Sequence, residues 1–362
     1  MMAATFKITP NHRVGGDNPC FIIAEIGQNH QGCFETAKKL IKAAKECGAD
    51  CAKFQKTNLP SRFNRAALNR PYLSANSFGP TYGEHRQYLE FSNEEFRQLQ
   101  KYTNEIGIIF SASGMDKPSV DFLHQLDVPF LKLGSGDSTN WELQAYTASL
   151  GRPVVASTGM QDWSSTCHMY NLLSGLTTNL ALLHCVSAYP TPPAECRISL
   201  IPVYRREFPK AVIGYSGHEE GFTVTLAAVA LGAKIVERHM TLDHHQKGSD
   251  HKSSLEPAQF KQMVEQIRQI EAALGTPHKE LLPCEMPTFL KLGKSLVTTR
   301  SLSAGSVLEA DHLCAKVAEP PGLPAQDISR VIGATITRDL AEDESLQQSD
   351  ISHLSNGLKS LH

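Results

Sequence analysis

KIVERHMT, residues 234 to 241, is an apolar run that finishes on three polar side chains, Glu237, Arg238 and His239. Seven short runs of the same character precede it: CFIIAEIG (20–27), CAKFQ (51–55), IIFSAS (108–113), FLKLGSG (130–136), PVVAST (153–158), LALLHC (180–185) and AVIGYS (211–216). Their Val, Ile, Leu and Phe content is nearly continuous rather than alternating, as in strands of a parallel sheet buried on both faces. Stretches with helical spacing lie between them, such as ETAKKLIKAAKECG, NEEFRQLQKYTNEIG and GFTVTLAAVALGA, each ending at or near glycine, where helices often stop. EPAQFKQMVEQIRQIEAALG (256–275) supplies a last helix, with Pro257 near its first turn. Eight strands alternating with helices predict an α/β fold, the TIM (β/α)8 barrel.

The 362 residues suit one large barrel and a small appendage. With 41% hydrophobic residues, 20% charged and a formal charge of -2, the composition is that of a soluble globular protein. There is no basic excess to suggest a nucleic-acid partner and no apolar stretch long enough for a membrane span. The first residues lack a signal core, so a cytoplasmic location is expected. Nine cysteines, an odd count with no C-x-x-C pair, read as reduced thiols. The barrel is expected over residues 1–280 and a proline-rich linker over 281–294. A small domain follows over 295–355, built from short β-like pieces such as SLVTTRSL and ATITRDL.

In such barrels the chemistry gathers at the carboxyl ends of the strands, because the interior is packed solid. One histidine there is usually a structural residue, but His218 and His239 close neighbouring strands, about 5 Å apart, so both can reach one cation. With Glu25 and Asp250 they offer mixed nitrogen and oxygen ligands that suit Mn²⁺ or Mg²⁺. Lys53 and Lys132, directed into a small cleft, need an anion to meet them. With the hydroxyls of Ser111, Ser135, Ser157 and Ser216 they form a candidate phosphate and carboxylate site. A metal, a phosphate cradle and carboxylates suit the joining of phosphoenolpyruvate to an aldehyde. Glu237 and Arg238 alternate in direction with His239 and are expected to form a supporting salt bridge.

The motifs AEIGQNHQG, AKFQK, KLGSGD, STGM, HCVSAYPTP, GYSGH, ERHMTLD and KGSDHKSSLEP resemble, in order and spacing, the N-acylneuraminate (sialic acid) synthase family. SAGSVLEADHL and VIGATITRDL resemble that family's antifreeze-like (SAF-type) carboxyl-terminal domain. AKECGADCAKFQK, NRAALNRPY, TYGEH and LLPCEM are closest to its animal members. The resemblance implies a transferase of sialic acid biosynthesis. It condenses phosphoenolpyruvate with N-acetylmannosamine 6-phosphate, using a divalent metal and C–O cleavage, to give N-acetylneuraminate 9-phosphate and phosphate. Bacterial members use the unphosphorylated sugar.

Carried over by motif, the metal histidines are His218 and His239, and the active-site acids are Glu25 and Asp137. The phosphoenolpyruvate contacts are Lys53, Ser111, Lys132, Ser135, Ser157, Ser187 and Ser216. The sugar contacts are Gln55, Tyr189 and Asp250. Asp137 stands where bacterial members have glutamate, and Ser187 where they have asparagine. Lys294 is the best match to an arginine that reaches the sugar from the partner in a domain-swapped homodimer. For a 6-phosphate, Arg62, Arg65 and Arg70 are candidates at the outer cleft. An ice-binding role for the second domain is disfavoured by its charge, which includes Asp311, Lys316, Arg338 and Glu344.

Overall fold

The computed structural model describes residues 4–352; the outer ends of the two expected domains, 1 and 355, fall outside that range. The chain begins with an antiparallel hairpin that the apolar runs did not announce, β1 (Thr5–Thr9) and β2 (His12–Gly15). Its alternating residues Phe6, Ile8 and Val14 are buried against Phe21, Ile23, Cys51, Phe130, Val155, Leu183, Val212 and Ile235. These are inward-facing residues from the amino ends of the barrel strands, so the hairpin closes the barrel at the end opposite the chemistry.

Each of the eight apolar runs holds a strand: β3 (Phe21–Gly27), β4 (Cys51–Lys56), β5 (Ile109–Gly114), β6 (Leu131–Leu133), β7 (Val154–Ser157), β8 (Leu180–Cys185), β9 (Val212–Gly217) and β10 (Ile235–His239). They pair in chain order, all parallel, and β10 returns to β3 to close the barrel. The pleat sorts each strand into two faces. One set, such as Ile22, Ala24, Phe54, Ala112 and Val236, packs outward against the helices. The other faces inward and changes character along the strand, from Ile23 to Glu25 in β3, Cys51 to Lys53 in β4, Val155 to Ser157 in β7 and Ile235 to Glu237 in β10. The apolar lower layers fill the barrel, and the polar upper layer is its working end.

A second compact unit begins at Thr276. The stretch expected to be a linker contains a helix, Met286–Leu292, because MPTFLKL continues as one turn-forming apolar segment once Pro287 sits in its first turn. Beyond it, β11 (Ser295–Thr298) pairs with β12 (Leu313–Lys316), and β13 (Thr335–Ile336) with β14 (Ile351–Ser352), all antiparallel. Leu296, Leu302, Leu308, Val331, Ile336, Leu340 and Leu346 form the core of this unit. The nine cysteines are all unpaired, as expected.

Candidate active site

Two lysines and two glutamates meet inside the upper barrel. Lys53 Nζ lies 2.5 Å from Glu25 Oε2 and 3.7 Å from Glu237 Oε2, and donates to Ser113 Oγ at 3.0 Å. Lys132 Nζ donates to Ser157 Oγ at 2.7 Å and stands 3.8 Å from Glu237 Oε1, which also accepts from Ser216 Oγ at 3.3 Å. All four charged groups are buried. Burial alone would raise the Glu237 carboxyl, but Lys132 and Lys53 on either side hold it below the usual range. Glu25 has only Lys53 as a cation, so burial, with Glu237 nearby, leaves its carboxyl above the usual value. Burial opposes the charge on Lys53, yet Glu237 and Glu25 raise it; Lys132 is lowered by burial, which Glu237 offsets only in part and the charge of Lys53 reinforces. The cluster therefore holds one firmly ionised acid, one acid able to carry a proton, and lysines poised for an incoming anion.

The histidines stand beside it. The rings of His218 and His239 lie 5.4 Å apart, and the Tyr189 ring lies 4.1 Å from that of His218. His218 Nδ1 donates to the Val186 carbonyl at 2.9 Å, which leaves Nε2 free to bind a ligand. His239 is buried, and its Nδ1 has no hydrogen-bond partner, with Asp250 Oδ2 3.9 Å away. Burial pushes its pKa down to about 4, so the ring is neutral, the form a metal requires. An unpartnered buried nitrogen, a neighbouring imidazole and nearby carboxylates fit a divalent cation of the Mn²⁺ or Mg²⁺ type. Gly27, with φ of 54°, makes the close approach possible: a Cβ there would stand 3.3 Å from Gln55 Nε2 and Glu25 Oε1 and 3.4 Å from His239 Cε1. Gln55 Nε2 donates to Glu25 Oε1 at 2.9 Å.

A second group of hydroxyls borders the lysines. Ser135 Oγ accepts from the Gly159 N–H at 3.2 Å and donates to Cys185 Sγ at 3.4 Å, and Ser187 Oγ lies 4.0 Å from the same sulfur. The space a Cβ on residue 159 would need is taken by the Ser135 and Ser187 hydroxyls, so the glycine shapes this hollow. Asp137 sits in the turn after β6; its carboxylate accepts from Asn140 Nδ2 at 3.1 Å, and burial raises its pKa.

Two expectations are corrected. Glu237 and Arg238 do not pair. Glu237 shares the inward face with His239, while Arg238 points out and donates to Glu219 Oε1 at 2.8 Å and Thr225 Oγ1 at 2.7 Å. Residues two apart share a face of a strand, and residues next to each other do not. Ser111 pairs in register with Lys53, but its hydroxyl donates to the Phe130 carbonyl at 3.1 Å, and the Lys53 ammonium reaches past it to Ser113. Lys294, expected to act on the partner's sugar, is an exposed residue of the second unit, directly before β11. Sequence reasoning gave Glu237 only a supporting salt bridge and left Ser113 and Cys185 out of the candidate site, and for each the signal was available as the inward parity of its strand.

Residues 40–279 match the model of the NeuB family, and residues 293–352 match the SAF domain. The chain is 49% identical to the N-acetylneuraminate-9-phosphate synthase of Homo sapiens, over 99% of this chain and 100% of that protein. Its identity to the protein of the same name in Drosophila melanogaster is 46%, over 90% and 94% of the two chains. Among solved structures, the N-acetylneuraminic acid (sialic acid) synthetase of Leptospira borgpetersenii superposes with a TM-score of 0.71 at 30% identity, covering 80% of this chain and 96% of that one. By family model, by near full-length identity and by a shared barrel, this chain belongs to the NeuB family of sialic acid synthases.

Proposed function

We propose that this chain is a transferase that condenses phosphoenolpyruvate with N-acetylmannosamine 6-phosphate to give N-acetylneuraminate 9-phosphate and phosphate. The observation that carries the reading is the pair of buried lysines, joined through Glu237 and ringed by serine hydroxyls, beside two histidines of which one has an unpartnered nitrogen. The names of the animal relatives support the phosphorylated sugar.

Lys53 and Lys132 neutralise the phosphate and carboxylate of phosphoenolpyruvate, and the hydroxyls of Ser113, Ser135, Ser157, Ser187 and Ser216 fix its orientation. His218 and His239, with oxygen from Glu25 or Asp250, would hold Mn²⁺ or Mg²⁺, which as a Lewis acid polarises the aldehyde of the open-chain sugar. Gln55, Tyr189 and Asp250 face the sugar. As C3 of phosphoenolpyruvate bonds to the aldehyde carbon, positive charge grows at C2, and the carboxylates of Glu237 and Glu25 stabilise it. Water adds to C2, and the tetrahedral carbon loses phosphate by C–O cleavage. Burial raises the pKa of both Glu25 and Asp137, which suits them to take and return the protons of this step.

The active species is a homodimer in this reading, with Lys294 of one subunit reaching the sugar held by the other. Leu281, Leu282, Phe289, Leu290 and Leu292 support it: each is 45% or more exposed, an apolar patch suited to cover by a second copy. A cytoplasmic location agrees with the unpaired thiols. Phosphate release from phosphoenolpyruvate, with either sugar and each metal, and the product mass test the reaction. A product carrying the sugar phosphate is expected; turnover of the free sugar alone, or of neither, overturns the reading.

A further inference from the structure

Just beyond the carboxyl ends of β3 and β4, at Gln28 and Thr57, two arginines converge without a salt-bridged carboxylate of their own. Arg86, on the helix Tyr82–Leu89, is 8% exposed. Its Nη1 donates to Gln28 Oε1 at 2.6 Å and its Nη2 to Thr57 Oγ1 at 3.4 Å, while Nε has no partner. Arg62 reaches the same hydroxyl, Nη1 to Thr57 Oγ1 at 3.5 Å, and rests against the Met115 sulfur. Among the described residues neither guanidinium forms a salt bridge. The nearby acid Glu90 binds Lys56 Nζ at 2.9 Å and the Thr57 N–H at 3.0 Å through Oε1; its Oε2 has no hydrogen-bond partner, and it acts on Arg86 only through space. Asp250 and Asp137 act on Arg86 and Arg62 only through space. Burial pushes the Arg86 guanidinium below the usual arginine value, and the charge of Arg62 adds to that push.

Two like charges brought together in a buried place are costly unless an anion meets them, and two guanidinium forks match the oxygens of a phosphate. Their position fits one anion in particular. Gln28 directly follows Gly27, which borders Glu25, Gln55 and His239, and Thr57 lies two residues beyond Gln55. The terminal phosphate of the acceptor sugar lies at the opposite end of its chain from the aldehyde, and so outward from the histidines. We propose that Arg62 and Arg86 bind this terminal phosphate and set the preference for a phosphorylated over a free sugar. The proposal rests on the reading of the barrel mouth given above. Arg65 and Arg70, the other two candidates from the sequence, are exposed, and Arg70 stacks over the Tyr82 ring at 4.2 Å.

The test is calorimetric binding of N-acetylmannosamine 6-phosphate and of N-acetylmannosamine to the full-length resting protein, which needs no turnover. The readout is the ratio of the two affinities. Wild type favours the phosphorylated sugar, and Arg86→Gln or Arg62→Gln reduces the ratio at least about tenfold, the loss of a charge-assisted bond to the phosphate. Arg86→Lys recovers part of it, and Arg65→Gln leaves it as in wild type. Should Arg86→Gln fail to fold, the half-buried Arg62 position decides. A ratio within about twofold of wild type in both glutamine variants, an equal loss for the two sugars, or no preference in wild type overturns the proposal. Collapse of the ratio in a protein that releases no phosphate from phosphoenolpyruvate would support the phosphate site and overturn the condensation reading, so the two fail separately.

Discussion

Adjacent residues of β10 carry opposite duties. Glu237 faces the two lysines, whereas Arg238 is fully buried against Glu219 on the outer face. Glu237→Gln is expected to lower kcat about a hundredfold, because charge stabilisation at the reacting carbon is lost. Arg238→Met is expected to act on the fold instead, destabilising it by about 3 kcal/mol as Glu219 is left as a buried charge without its partner. Steady-state kinetics and urea unfolding of the two variants separate the roles; an unchanged kcat in the first or a selective rate loss without a stability loss in the second would contradict the assignment. His239→Ala is expected to abolish Mn²⁺-dependent turnover and to weaken Mn²⁺ binding by electron paramagnetic resonance while the protein still folds. Unchanged Mn²⁺ binding would remove His239 from the metal site. At this scale the sequence identified the polar residues at the strand ends but not which neighbours meet. Ser111 and Ser113 look equivalent in IIFSAS; Lys53 pairs in register with Ser111, and only the reach of its long side chain brings Nζ to the Ser113 hydroxyl.

The eight barrel strands were legible because a strand buried on both faces must be apolar along its whole length, and few other segments are. The hairpin Thr5–Gly15 was not, since TFKIT carries only two apolar residues and its burial depends on a barrel floor assembled from eight distant segments. The helix Met286–Leu292 was hidden by the prolines around it. Phe6 is 4% exposed, with Ile8 beside it under the barrel. Phe6→Ala is expected to cost about 3 to 4 kcal/mol in denaturant unfolding, the range for removing a buried aromatic ring. A loss below about 1 kcal/mol would mean that the barrel closes without its hairpin.

For the molecule as a whole, the two units have separate cores, and the chemistry described here belongs to the first. The exposed apolar residues of the Met286–Leu292 helix are then the place to test association. Sedimentation is expected to give a dimer for the wild-type chain and a monomer for Phe289→Glu combined with Leu290→Glu; a wild-type monomer would remove the partner's contribution to the site. The central claim is that the barrel mouth joins phosphoenolpyruvate to a phosphorylated sugar aldehyde with C–O cleavage. The most direct measurement follows phosphoenolpyruvate labelled with ¹⁸O at its bridging oxygen, together with N-acetylmannosamine 6-phosphate and Mn²⁺, by mass spectrometry of both products. The expected result is ¹⁸O in the released phosphate and an unlabelled nine-carbon keto acid that still carries the sugar phosphate. Label retained in the organic product, or no phosphate released, would contradict it.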